Sequence, residues 1–148
     1  MPDLVNIKLK YLSDKISRPE YATRGSIGFD LCAAIDSPFK LKAGEKVLIP
    51  SGIAVSIPKG YGGFMYSRAG LAQKKGIVLA GGAGVIDCDY TGEIKIPLMN
   101  MSDLDYTIKT GDRVAQLVIM PVEEANFIIC DELPATERDT KGFGSTGR

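Results

Sequence analysis

The feature that most limits this 148-residue chain is a period of two, repeatedly interrupted by turns. "VNIKLK" alternates apolar and polar, with Val5, Ile7 and Leu9 on one face. "SGIAVSIP" repeats the pattern with Ile53, Val55 and Ile57, and "EIKIPLM" with Ile94, Ile96 and Leu98. Successive side chains of a strand point to opposite faces, so these runs predict strands with one face buried. "DYTIK", "RVAQLVIM" and "ANFIIC" add further short β-rich runs, and "KAGE", "PKGYGG", "KTGD" and "DELP" supply turns. Many short strands at close spacing predict an all-β sandwich or barrel. Only "RAGLAQKKG" reads as a helix, a short one that stops at Gly76. With no internal repeat or linker, one domain is expected over 1–148. Asp131 to Arg148, polar and irregular, is expected to be a mobile C-terminal arm.

Charge and composition narrow the function. Eighteen Lys and Arg balance eighteen Asp and Glu, so bulk charge draws the chain neither to nucleic acid nor to an anionic membrane. No apolar run approaches the length of a membrane span or a signal peptide core, which predicts an intracellular protein, cytoplasmic or nuclear. Cys32, Cys88 and Cys130 are odd in number and widely spaced, a pattern of reduced thiols rather than a disulfide framework or metal cluster. The absence of histidine excludes Ser-His-Asp and Cys-His mechanisms and a His-bound zinc. Any general base is therefore a carboxylate, a lysine, a tyrosine or a thiolate.

Several stretches have the makings of a site, and each also has a plainer reading. In "GGAGVIDCDYTGEI", residues 81–94, glycines allow close backbone approach to a ligand, Tyr90 can lie on a sugar or base, and Asp87 is a candidate base. The same stretch is also an ordinary glycine-rich hairpin with Asp at its turn. In "YSRAGLAQKKG", Arg68 stands at the start of a short helix, a place suited to an anion or simply to a surface arginine. "GDRVAQLVI" offers Gln116, whose amide can donate to phosphate oxygens or face solvent. Asp30, within "RGSIGFDLCAA", lies in an apolar strand, so it faces outward or has a partner such as an arginine or a metal-bound water. Finally, "KGFGSTGR" puts the single ring of Phe143 among glycines, as in a frayed end or a lid.

Together, and in this order, these stretches resemble the five motifs of the trimeric dUTPases: "GSIGFDLCAA", "SRAGLA", "GAGVIDCDYTGEI", "GDRVAQL" and "KGFGSTG". The likeness runs from about Ala22 to the end. It implies a jelly-roll-like β-barrel or sandwich of the β-clip type, with one short helix and a flexible C-terminal arm. It also implies a homotrimer with active sites shared between subunits, hydrolysis of dUTP to dUMP and pyrophosphate, and Mg²⁺ on the triphosphate. Stable nucleic-acid binding and membrane attachment are not implied. Carried over by position, Asp87 is the general base that activates the attacking water. Tyr90 packs on the deoxyribose, and the backbone of Gly81, Val85, Ile86 and Asp87 reads the uracil. Arg68, Ala69, Gly70 and Gln116 line the phosphates, with Lys95 at a further nucleotide contact. Asp30 lies near the metal through water, and Arg138, Phe143, Gly144 and Ser145 come from the arm, with Phe143 over the uracil. Such an arm answers the lid reading of "KGFGSTGR".

The chain departs from the family pattern in two places. Ala69 stands where the second motif usually has serine, and Ser67 where it has proline; the fifth motif reads "RDTKGFGSTG" in place of a run of glycines. The missing hydroxyl is one expected to donate to a phosphate oxygen. Two other readings compete: the related dCTP deaminase, and a trimer that binds nucleotide or protein without turnover. The third motif has the dUTPase form, and Asp87, Tyr90 and Phe143 are all in place, which favours the hydrolase.

Overall fold

A computed structural model describes residues 4–143. Ten strands and one helix follow in the order β1 (Lys8–Tyr11), β2 (Gly28–Cys32), β3 (Phe39–Leu41), β4 (Lys46–Ser56), β5 (Tyr61–Ser67), α1 (Ala69–Lys75), β6 (Ile77–Leu79), β7 (Ala83–Ile86), β8 (Glu93–Asn100), β9 (Tyr106–Ile108) and β10 (Arg113–Pro121). One four-stranded sheet runs β1-β4-β8-β6 and a second runs β2-β10-β5-β7, all pairs antiparallel. A ribbon of β3 and β9 adds Leu41 and Ile108 to the core. Among the described residues, no helix is long and apolar enough to cross a membrane.

The alternation seen in sequence is what builds the interior. Ile94, Ile96 and Leu98 of β8 are buried while Lys95 between them is exposed. Phe29 and Leu31 of β2, Leu117 of β10 and Met65 of β5 meet them in one continuous apolar cluster. A sheet with one apolar face must bury it on another layer, and here each sheet covers the other. α1 is short and contributes no buried residue; it ends at Gly76, whose φ of 69° is the left-handed cap expected of glycine.

Two of the sequence expectations need correction. "PKGYGG" is a turn only in its first half, because Tyr61, Gly62 and Gly63 already belong to β5. These glycines make room for packing: a Cβ at Gly63 would stand 3.1 Å from Ile57 Cδ1 and 3.2 Å from Ile86 Cβ. "ANFIIC" forms no strand, and Phe127, Ile128 and Ile129 are 90%, 83% and 96% exposed. Its β propensity expresses a fit to a half-buried pleated surface, and among the described residues it rests on none.

The strand that joins everything is β4. Its register against β8 shifts between Pro50 and Ala54, and Gly52 in the bulge has φ 69°. The Gly52 carbonyl accepts from the Leu12 amide at 2.7 Å, and its amide donates to Glu93 Oε1 at 3.1 Å. A Cβ here would lie 2.7 Å from Ala34 Cβ and 2.9 Å from Ser13 Cβ. Gly52→Ala should therefore destabilise the fold by about 1–3 kcal/mol. Gly44→Ala is the control: φ is 75°, but the space around it is open, so only the left-handed backbone cost of about 1–2 kcal/mol applies. Thermal melts of both variants check this; equal Tm losses would show that the contacts at Gly52 carry no weight.

Candidate functional site

The first cluster of polar groups lies on the outer face of the β2-β10-β5-β7 sheet. Alternation in β2 turns Phe29 and Leu31 inward and Asp30 outward. Asp30 pairs in register with Gln116 of β10, and Gln116 with Tyr66 of β5. Arg68, just past the end of β5, donates from Nε to Asp30 Oδ1 at 2.8 Å and from Nη1 to the Arg113 carbonyl at 3.1 Å. Arg113 Nη1 lies 3.5 Å from Asp30 Oδ2. The partner of Asp30 is thus an arginine pair. Gln116 Nε2 donates to the Ser67 carbonyl at 3.0 Å.

These groups line an open cleft of about 400 Å³, closed on its far side by the loop around Gly25 and Ser26. Two cations above a carboxylate, beside amide groups at the start of a helix, form a setting for a polyanion. Ala69 and Gly70 open α1 at the surface, and a Cβ at Gly70 would meet nothing within 4 Å. The Ser67 hydroxyl points the other way, accepting from the Leu79 amide at 2.8 Å, so it ties β5 to β6. Burial first, and the charge of Asp30 next, raise the Cys32 thiol above its ordinary value, which keeps it protonated and unreactive at neutral pH.

The second cluster lies where β7 turns into β8. Gly81 and Gly82 take φ of 91° and 87°, a backbone suited to glycine, and lead into β7. A tight turn follows, in which the Tyr90 amide donates to the Asp87 carbonyl at 3.1 Å. The Tyr90 hydroxyl donates to the Glu93 carbonyl at 2.8 Å. Val85, Asp87, Tyr90 and Lys95 line a cleft of about 300 Å³ together with the backbone of Ile86, whose own side chain is buried. Val85 is 66% and Tyr90 46% exposed.

The two clefts share no lining residue. One chain therefore gathers Arg68, Gln116 and Asp30 in one place and Asp87, Tyr90 and Lys95 in another. Arg138 and Phe143 lie on the arm, where Arg138 Nε donates to the Lys141 carbonyl at 2.8 Å and the Phe143 ring is fully exposed. Gly144 and Ser145 fall outside the described residues. Sequence reasoning passed over Arg113 as a turn residue and gave no part to the Gly25–Ser26 loop; the "GDR" turn just before a strand was the available signal. Among the described residues, no three Cys, Asp or Glu side chains converge on a point that could hold a metal ion. Asp30 Oδ2, only loosely held by Arg113, keeps lone pairs that fit the water shell of a cation carried in by an anion.

Comparison with known proteins gives the chain's family. The family model described as dUTPase matches residues 14–147. The deoxyuridine 5'-triphosphate nucleotidohydrolase of Desulfitobacterium hafniense is 43% identical over 146 residues, covering 97% of each chain. Among solved structures, the dUTPase of Staphylococcus bacteriophage 80alpha with dUPNHPP is similar with a TM-score of 0.88 and 30% identity, over 97% of this chain and 99% of that one. A mutant dUTPase of phage phi11 of S. aureus, described for its coordination of a structural Mg(II) ion, gives a TM-score of 0.77 at 28% identity, over 86% of this chain and 97% of that one. With nearly the whole chain matched and both clefts falling on the motifs, this protein belongs to the dUTPase family, the dUTP diphosphatases.

Proposed function

We propose that the clefts are the two halves of one nucleotide site, with the nucleoside in the β7–β8 cleft and the triphosphate over Arg68. The observation that carries this is chemical: one cleft is lined by Tyr90 and Val85 along the edge strand β7, the other by Arg68 and Arg113. Backbone amides and carbonyls of Gly81, Val85, Ile86 and Asp87 would read the uracil edge, and Tyr90 would lie on the deoxyribose. Arg68, Arg113 and Gln116 would hold phosphate oxygens, with Ala69 and Gly70 letting the chain come close. Lys95, exposed at the cleft rim, would add a cation to the nucleotide.

In this reading a water attacks the α-phosphorus while Asp87 accepts its proton. The bond from that phosphorus to the bridging oxygen breaks, and pyrophosphate leaves. Bound Mg²⁺ would neutralise charge on the triphosphate, with Asp30 taking one of its waters. Arg68 is held in place before substrate arrives, so little reorganisation accompanies binding.

We further infer that the site is completed by other copies of the chain, in a homotrimer. Supporting this, the two clefts are separate within one protomer and the apolar "ANFIIC" segment stands free of it. The single domain would end in an arm, 131–148, that closes over the nucleotide with Phe143 on the base. The arm's described residues have neither strand nor helix, which fits a segment that moves to close. An intracellular enzyme, cytoplasmic or nuclear, fits the reduced thiols.

The test is a nucleotide panel with Mg²⁺ in which both products are measured. dUTP should be hydrolysed and the other three should be poorer substrates: UTP because its 2′-hydroxyl would meet Tyr90, dTTP because its 5-methyl would meet the glycine hairpin, and dCTP by about 10⁴-fold because its reversed donors and acceptors would leave buried polar groups unpaired. Comparable kcat/KM for dUTP and dCTP would contradict the assignment. Asp87→Asn should retain binding and lose roughly 10²–10⁴-fold in kcat; a near-unchanged rate would remove Asp87 as the base. Since the Ser67 hydroxyl is engaged by Leu79, Ala69→Ser should add a phosphate donor and raise kcat, by an amount set by a charged hydrogen bond of about 1.5–3 kcal/mol. An unmoved rate would mean that another group already fills that role.

A further inference from the structure

We propose that Gly92 and the Glu93 carbonyl are positioning groups for sugar recognition, fixing the tilt of the Tyr90 ring and hence the depth of the nucleoside cleft. The inference rests on reading Tyr90 as the residue that meets the sugar. A Cβ at Gly92 would lie 2.7 Å from the Tyr90 hydroxyl oxygen, 2.8 Å from Cζ and 3.1 Å from Cε2. All three nearest atoms belong to that one ring. Unlike Gly81 and Gly82, Gly92 does not adopt a positive φ, so it is not the backbone that calls for glycine here. The ring crosses directly over its Cα.

The other end of the ring is held by its hydroxyl, which donates to the Glu93 carbonyl at 2.8 Å. Glu93 is itself fixed. Its Oε1 accepts from the Gly52 amide at 3.1 Å, and its backbone pairs with Ala54 across the β4–β8 ladder. A tyrosine that is 46% exposed on a turn would otherwise have several staggered positions open to it. Here one is selected by the space left at Gly92 and by a tether, and the tether leads back to the β4 bulge. Telling ribose from deoxyribose depends on one added oxygen, so a ring displaced by about 1 Å is enough to blunt it.

Since the displaced atoms lie at the end of a rotatable side chain, Gly92→Ala should fold normally and act on selectivity. The experiment measures kcat/KM for dUTP and UTP in Gly92→Ala, Tyr90→Phe, Tyr90→Ala and the Gly92→Ala/Tyr90→Ala double variant, alongside a thermal melt of each. The expected results are a dUTP/UTP ratio about tenfold or more lower in Gly92→Ala with Tm nearly kept, and a smaller loss in Tyr90→Phe, which cuts the tether only. In the Tyr90→Ala background Gly92→Ala should cause no further change, since its target is gone. A wild-type ratio in both Gly92→Ala and Tyr90→Phe overturns the proposal, as does an equal effect of Gly92→Ala with and without the ring. Should Gly92→Ala not fold, Tyr90→Phe decides alone: a wild-type ratio there overturns the proposal. If Tyr90→Ala itself leaves the ratio unchanged while dUTP is still hydrolysed, the sugar role of Tyr90 falls and the proposal falls with it. The dUTPase assignment would then stand.

Discussion

A sandwich this small, with one seven-residue helix, depends on a strand that can serve two neighbours at once. β4 does so across a bend. Before the bulge it pairs with β8 alone; after it Ala54 pairs with Glu93 of β8 on one edge while β1 joins the other, and Ser51 to Val55 are buried throughout. The left-handed backbone at Gly52 makes that bend, and the Glu93 carboxylate satisfies the amide that the bend turns out of the ladder. A buried amide left without an acceptor would cost about as much as a lost hydrogen bond. The same carboxylate thus stabilises the fold and fixes the first residue of the strand that borders the β7–β8 cleft. Stability and site geometry meet in one residue.

The cationic cleft follows a different logic. Asp30 holds Arg68 with a geometry of 2.8 Å and stands near Arg113, so the carboxylate offsets charge that a triphosphate would otherwise meet in full. What is lost in attraction is returned in order. An arginine already bonded at Nε and Nη1 has little side-chain entropy left to lose when an anion arrives. Rigid donors around a developing charge are also the arrangement that serves catalysis best.

Much of this was legible in the chain because period and punctuation agree. The face of β8, the helix at Ala69–Lys75 with its Gly76 cap, and an Asp30 that is outward or partnered follow from alternation, propensity and the cost of burying a lone charge, whereas β4 is buried on both faces from Ser51 to Val55 and does not alternate as its sequence does. Where reading failed, a long-range contact decided. β5 begins with two glycines that look like a turn and are in fact spaces for Ile57, Ile86 and the Phe64 ring. "ANFIIC" has every local mark of a strand and pairs with none of the described strands. Arg113 belongs to the site through β2–β10 register, which no local pattern encodes. Among the departures from the family motif, Ser67 is explained by its bond to Leu79, and nothing in the structure explains Ala69.

Gly70 carries a consequence for how such a protein tolerates change. Open space surrounds the position where its Cβ would be, and it sits in the first turn of a helix, where alanine is the better former by about 0.8–1.0 kcal/mol. Nothing among the described residues therefore asks for glycine there. A survey of variants scored on abundance would count alanine at 70 as an improvement, while one scored on dUTP hydrolysis would count it as damage if phosphate passes over that bare Cα. Such a position separates the selection that keeps a chain folded from the selection that keeps it useful, and consensus-guided stabilisation of this fold would do well to leave it alone.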